Sequence, residues 1–213
     1  MVWKITFALL CVLLVPLLWF PLAKINAQYT VTINEGFNAY SESAAGSGAT
    51  LYGAPPHYAY ANYPPVSFHL IGWLGKLTGD VNLAGRWISF LAILAIAACS
   101  ALIVRCYTNS WRYSAYAALC WLIWLGAFDV VRVGYNDPHV LGVAVSMAAL
   151  YCFVRDPESA RGLISAALFA PSLFIKQSLF PFPLAVALQL FLTSRRRLAM
   201  WMGTAIGVCR AAA

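Results

Sequence analysis

Residues 82–104 read NLAGRWISFLAILAIAACSALIV, with Arg86 as the single charged side chain. A helix needs about 20 consecutive apolar residues to cross the hydrocarbon core of a bilayer, and this run supplies them without interruption. Further apolar runs lie at 5–23, 113–128, 139–154, 162–175, 179–193 and 198–209. The chain is 62% hydrophobic and only 10% charged, whereas a soluble domain carries about 25% charged residues. So few charges cannot cover the surface of a water-soluble globule. The composition predicts an all-α fold, a polytopic transmembrane helical bundle forming one domain over residues 1–213.

The runs differ in length. Those at 5–23 and 82–104 reach spanning length alone, and those at 113–128 and 139–154 reach it with flanking residues. The stretch 162–193 is broken by Pro171, Pro181, Pro183 and by Lys176-Gln177-Ser178. Proline removes a backbone donor and clashes with the preceding turn, so two short or tilted helices in a bent hairpin fit better than one long helix. Arginine distribution tests this partition, because cytoplasmic loops are enriched in Lys and Arg. With the N-terminus and Lys4 cytoplasmic, Arg105 and Arg112, then Arg155 and Arg161, then Arg195, Arg196 and Arg197 all fall on the inner side. The reading is a multi-pass protein of the plasma membrane. Met1 to Ala27 also has the outline of a signal peptide, but its apolar run exceeds about 15 residues, and Ile25 is a poor residue three before a cleavage point. An uncleaved first helix is expected.

The outer side then receives 24–81, 129–138 and the turn 176–178. Within the long outer loop, Thr32-Ile33-Asn34-Glu35 has capping-box spacing and predicts a short helix ending near Gly46 or Gly48. After Pro64-Pro65, Val66, Leu70, Trp73, Leu74 and Leu77 form one helical stripe, too short to span and suited to lying along the membrane surface. The six cysteines lie in or beside apolar runs and read as small packing residues. The net charge of +7 is strung between apolar runs, which makes it topological and argues against a nucleic-acid partner.

Seven acids limit the choice of general base. Asp156 and Glu158 fall on the inner side; Glu35, Glu42, Asp80, Asp129 and Asp137 fall on the outer side. None is at mid-bilayer, where a proton relay would place them. Glu35 also reads as the third residue of its capping box. Asp137-Pro138 also reads as a helix start, with Asp as cap and Pro in the first turn. Arg86 and Lys176 also read as snorkelling interfacial cations.

Six segments occur in order across the first outer loop, the second span and the next two outer positions. They are Asn34-Glu35-Gly36-Phe37-Asn38-Ala39-Tyr40, Asn62-Tyr63-Pro64-Pro65, Gly79-Asp80, Ala84-Gly85-Arg86, Tyr135-Asn136-Asp137-Pro138 and Ile175-Lys176-Gln177. Together they resemble the catalytic half of the polyprenyl-phosphate-sugar glycosyltransferases of the GT-C superfamily, related to protein O-mannosyltransferases and aminoarabinose transferases. The resemblance covers about residues 5–195. It implies inverting transfer from a polyprenyl-phosphate-linked sugar, with an outer-loop carboxylate as general base. Much of that family has an Asp-Glu pair in the first outer loop, where this chain has Asn34-Glu35. Asn34 cannot accept a proton, so the role falls to Glu35.

The resemblance further implies Asp137 as a second catalytic acid and Arg86 and Lys176 as the donor-phosphate clamp. Asn34, Tyr40, Tyr63, Asn136 and Gln177 become site-lining residues. It leaves a divalent metal at Asp137 open, since some relatives hold one there. His57 and His139 are not taken as ligands. The acceptor is not specified. Family members carry further helices, so the sequence is expected to be an N-terminal portion. The rival expectation is a non-catalytic relative, an assembly subunit or transporter-like scaffold, which Asn34 favours.

Overall fold

The computed structural model describes residues 2–52 and 63–211. Asn62 and His57 lie outside the described residues. Nine helices and no strand occur among those described: α1 (Val2–Lys24), α2 (Ile33–Ser47), α3 (Val66–Thr78), α4 (Val81–Thr108), α5 (Trp111–Phe128), α6 (Pro138–Arg155), α7 (Ala160–Ile175), α8 (Pro181–Thr193) and α9 (Arg195–Ala211). Single 3-10 turns occupy Val130–Arg132 and Gln177–Leu179. Each apolar run of the sequence falls on a helix. By length and composition, α1, α4 and α6 are long and apolar enough to cross a membrane, while α7 and α8 are shorter apolar helices. The chain is an all-α membrane protein.

The helix boundaries have local causes. Thr32 caps α2 by accepting from the Glu35 N–H at 3.3 Å, and Gly48 closes it in the left-handed region at φ 79°. Asp80 caps α4 by accepting from the Leu83 N–H at 3.1 Å. Asp137 caps α6 by accepting from the His139 N–H at 2.8 Å, with Pro138 in the first turn, where a missing N–H costs nothing.

Two apolar clusters hold the bundle. Ala92, Ile93 and Ile96 of α4 pack with Leu125 of α5, Val133, and Val140 and Ala144 of α6. Ala149 and Phe153 of α6 pack with Ala166 and Phe169 of α7, Val186 and Leu190 of α8, and Trp201 of α9. The Trp201 indole N–H donates to the Ser165 hydroxyl at 2.8 Å. By contrast Leu9, Val12, Leu13, Val15 and Trp19 of α1 are exposed, as expected of a helix whose solvent on that side is lipid.

The loops sort to opposite ends of the bundle. At one end Arg197 donates to the Pro157 carbonyl at 2.9 Å and to Glu158 at 3.1 Å. A cavity lined by Tyr107, Pro157, Glu158 and Arg197 brings the three arginine-rich turns together there. The other end carries α2, α3 and the loop 129–137. There α2 and α3 pack closely: a Cβ on Gly72 would sit 2.1 Å from the Glu42 carbonyl oxygen, and one on Gly46 would sit 2.8 Å from the Gly72 carbonyl oxygen. The exposed face of α3 holds Val66, Leu70, Trp73 and Leu77, most of the stripe read from the sequence.

Backbone cannot yield as a flexible side chain does. Gly72→Ala is therefore expected to cost about 1–3 kcal/mol, read as a lower midpoint of thermal unfolding in detergent. An unchanged midpoint would mean that α2 and α3 do not approach at Gly72.

Candidate functional site

The site is built around Arg86, in the second turn of α4 and 1% exposed. A buried guanidinium is tolerable only when its charge is paired and its donors are used. Its Nε donates to Glu35 Oε1 at 2.7 Å and its Nη2 to Glu35 Oε2 at 2.9 Å. The segment following α1 supplies the rest: the Ile25 and Ala27 carbonyls accept from Nη1, with that of Lys24 at longer range, and the Tyr29 carbonyl accepts from Nη2. Every N–H of Arg86 is thereby engaged. The path of the chain from α1 to α2 is wrapped around this one side chain.

Glu35 is fully buried. Besides Arg86, it accepts from the Val31 N–H at 2.6 Å and the Asn136 N–H at 3.1 Å. Burial alone would raise its pKa, but the Arg86 hydrogen bonds, the two backbone amides and the Arg86 charge outweigh it. The carboxyl is held below its ordinary value. The capping box is thus half formed, since Thr32 caps α2 but the Glu35 side chain turns to Arg86 and Val31.

Glu35, Asn38 and Glu42 lie at i, i+3 and i+7, on one face of α2, and all three bind Asn136. Glu35 takes its N–H, the Asn38 side-chain amide donates to its carbonyl at 2.8 Å, and Glu42 Oε2 accepts from its Nδ2 at 2.5 Å. On α4, Gly85 leaves room for the Asn136 amide, since a Cβ there would sit 2.1 Å from Asn136 Cγ. Ser89, one turn on, accepts from the Asp137 N–H at 3.1 Å. These contacts fix the backbone that carries Asp137. The Asp137 side chain is 11% exposed, and its Oδ2 accepts from Arg132 at 3.2 Å. Arg132 is 41% exposed and also pairs with Asp129.

Lys176 lies at the break between α7 and α8. Its Nζ is 3.4 Å from the Tyr63 hydroxyl and 4.4 Å from the Tyr63 ring centre. Tyr63 in turn walls a groove of about 510 Å³ together with Pro64, Pro65, Leu173, Phe174 and Gln177. Its lining is predominantly apolar. His139, half-buried beside Asp137, has no partner for Nδ1 among the described residues.

The expected residues therefore separate into groups. Glu35, Arg86, Asn136 and Asp137 share one network. Lys176, Tyr63 and Gln177 gather at the groove. Asn34 and Tyr40 lie on the exposed side of α2, Tyr40 being 58% exposed. The phosphate contact expected of Arg86 is not available in this arrangement, because all its donors are taken. Nor is Glu35 open to an acceptor, since it is buried and both its oxygens accept two hydrogen bonds. A metal at Asp137 does not fit either. One carboxylate oxygen caps α6 and the other faces Arg132, and no group of three His, Cys, Asp or Glu gathers among the described residues. The sequence does not single out Asn38, Glu42 or Ser89 as members of the site. The i, i+3, i+7 spacing of Glu35, Asn38 and Glu42 was the available signal.

Residues 62–211 match the family model described as dolichyl-phosphate-mannose-protein mannosyltransferase. The matched span includes Arg86, Asn136, Asp137 and Lys176, while α1 and α2 precede it. No curated protein and no solved structure matches the chain.

Removing one partner of a buried pair leaves the other charge uncompensated, at a cost of about 3–5 kcal/mol. Both Arg86→Met and Glu35→Gln are expected to show that loss in thermal unfolding. A depressed carboxyl contributes stability above its unfolded pKa and loses it as pH falls through the folded value. Arg86→Met should therefore lose the wild type's Glu35-dependent fall in stability on acidification. Melting profiles identical to wild type would contradict the pairing.

Proposed function

The chain belongs to the dolichyl-phosphate-mannose-protein mannosyltransferase family, and from that membership we propose that it moves a sugar from a polyprenyl-phosphate donor to an acceptor at the bundle end bearing Asp137 and Lys176. As a member it is a membrane glycosyltransferase of the GT-C type. The donor, the stereochemistry and the roles of individual residues below are our reading. We place this end on the outer side of the plasma membrane, because the arginine-rich turns gather at the opposite end and such turns face the cytoplasm.

One observation carries the reading. Lys176 and Tyr63 stand at the edge of an apolar groove whose chemistry suits a lipid chain ending in a phosphate. The ammonium offers a positive charge where negative charge grows as the phosphate leaves. Asp137 takes the part of general base, because among the buried acids of this network it retains exposure that Glu35 lacks. The acceptor hydroxyl attacks the anomeric carbon, its proton passes to Asp137, and the bond from that carbon to the phosphate oxygen breaks. A single displacement inverts the anomeric centre, and polyprenyl phosphate departs against Lys176. Arg132 orients the carboxylate. Arg86 and Glu35 hold the scaffold and do not touch the reactants.

Asp137→Asn is the direct test. Asparagine caps a helix as well as aspartate does, so α6 should form unchanged, while loss of a general base lowers transfer by about 10²–10⁴-fold. Lys176→Met should raise the KM for a polyprenyl-phosphate sugar. Turnover retained in Asp137→Asn would exclude Asp137 as the base.

A further inference from the structure

Glu42 and Asn136 are both fully buried. They are joined through Asn136 Nδ2 and Glu42 Oε2, and the remaining oxygen of each, Glu42 Oε1 and Asn136 Oδ1, has no hydrogen-bond partner among the described residues. Two acceptors cannot satisfy one another, and a buried polar atom left without a partner costs about 1–3 kcal/mol. A proton on Glu42 resolves both vacancies at once. A carboxylic acid and a primary amide are complementary, each offering one donor and one acceptor.

We propose that Glu42 is a neutral carboxylic acid that donates to the Asn136 side-chain oxygen, closing a two-bond pair that holds Asn136, and through it Asp137, in position. Glu42 is thus a positioning residue: it touches neither donor nor acceptor and acts through the backbone of residue 137. The surroundings favour the neutral form. The charge facing Glu42 along α2 is the Glu35 carboxylate. On α4, the Arg86 guanidinium is closed on Glu35 and on backbone carbonyls. The buried face of α3 presents Ser67, Phe68, Ile71, Gly72 and Gly75, with no charged group. Burial, opposed by the Asn136 hydrogen bond and reinforced by the Glu35 charge, pushes the Glu42 pKa up to about 8.

The sign of the pH effect follows. Between the ordinary carboxyl value and about 8, the folded chain keeps a proton that the unfolded chain has lost. Stability therefore falls as pH rises through that window and levels off above it. In Glu42→Gln the amide replaces the acid, can still pair with Asn136 through a donor and an acceptor, and does not titrate.

The test uses the whole chain in detergent. Difference infrared spectra of wild type minus Glu42→Gln at neutral pH should show the C=O stretch of a protonated carboxyl, and the band should fade as pH is raised past about 8. Glu42→Gln should lack the wild type's fall in thermal stability over the same window and should keep most of its transfer activity. Glu42→Ala should lower kcat roughly tenfold to a hundredfold with the KM for the polyprenyl-phosphate sugar little changed. The kcat expectation rests on Asp137 being the base; the infrared band and the stability profile do not, so the two readings fail separately. Absence of the band at neutral pH overturns the neutral acid, as does a pH profile of stability shared by wild type and Glu42→Gln. A Glu42→Ala protein with wild-type kcat overturns the positioning role.

Discussion

A guanidinium buried near one end of an apolar helix sets the terms for everything around it. Arg86 cannot be left unpaired, since an uncompensated charge out of water is among the costliest features a fold can carry. It is satisfied from two directions. Glu35 supplies both carboxylate oxygens, and the carbonyls between Lys24 and Tyr29 take the remaining donors. That choice fixes where α1 ends, how the chain turns, and which face α2 turns toward α4. Once α2 is so oriented, Asn38 and Glu42 can only meet Asn136, and the loop that starts α6 is locked in place.

The same arrangement divides the charged residues into two kinds. Arg86, Glu35 and Glu42 are shut away and serve as scaffold. Asp137, Arg132 and Lys176 keep partial access to the surroundings and lie where the scaffold puts them. Ser89 and Gly85 take part without any charge: one receives the Asp137 amide, the other leaves space for the Asn136 side chain. The short motifs Ala84-Gly85-Arg86 and Tyr135-Asn136-Asp137-Pro138 thus have one structural meaning, as two halves of a single joint. An apolar groove beside Lys176 adds the feature that a lipid-linked donor would need.

Much of the architecture could be read from the chain alone, because its determinants are local. Apolar runs, the prolines around Lys176, the Thr32 cap and the Asp137-Pro138 start are properties of neighbouring residues. The break between α7 and α8 is a clear instance, since Pro181 and Pro183 with Lys176-Gln177-Ser178 announce it. The partners of Arg86 were not readable in this way. A guanidinium followed by a long apolar run is equally consistent with a surface cation and with a buried tie, and only the packing of α2 on α4 decides. The family resemblance likewise marks Glu35 as the candidate base, whereas four hydrogen bonds close it. Glu42 shows in the sequence only as one more outer-side acid, because its importance depends on Asn136, 94 residues away.

A structure of the full chain with a non-reactive polyprenyl-phosphate sugar analogue addresses the central claim most directly, the claim that Arg86 is committed to the scaffold. The account predicts the phosphate against Lys176 and Tyr63, the lipid chain in the groove beside them, and Arg86 still closed on Glu35. A phosphate bound to Arg86, with Glu35 released from it, would contradict the account.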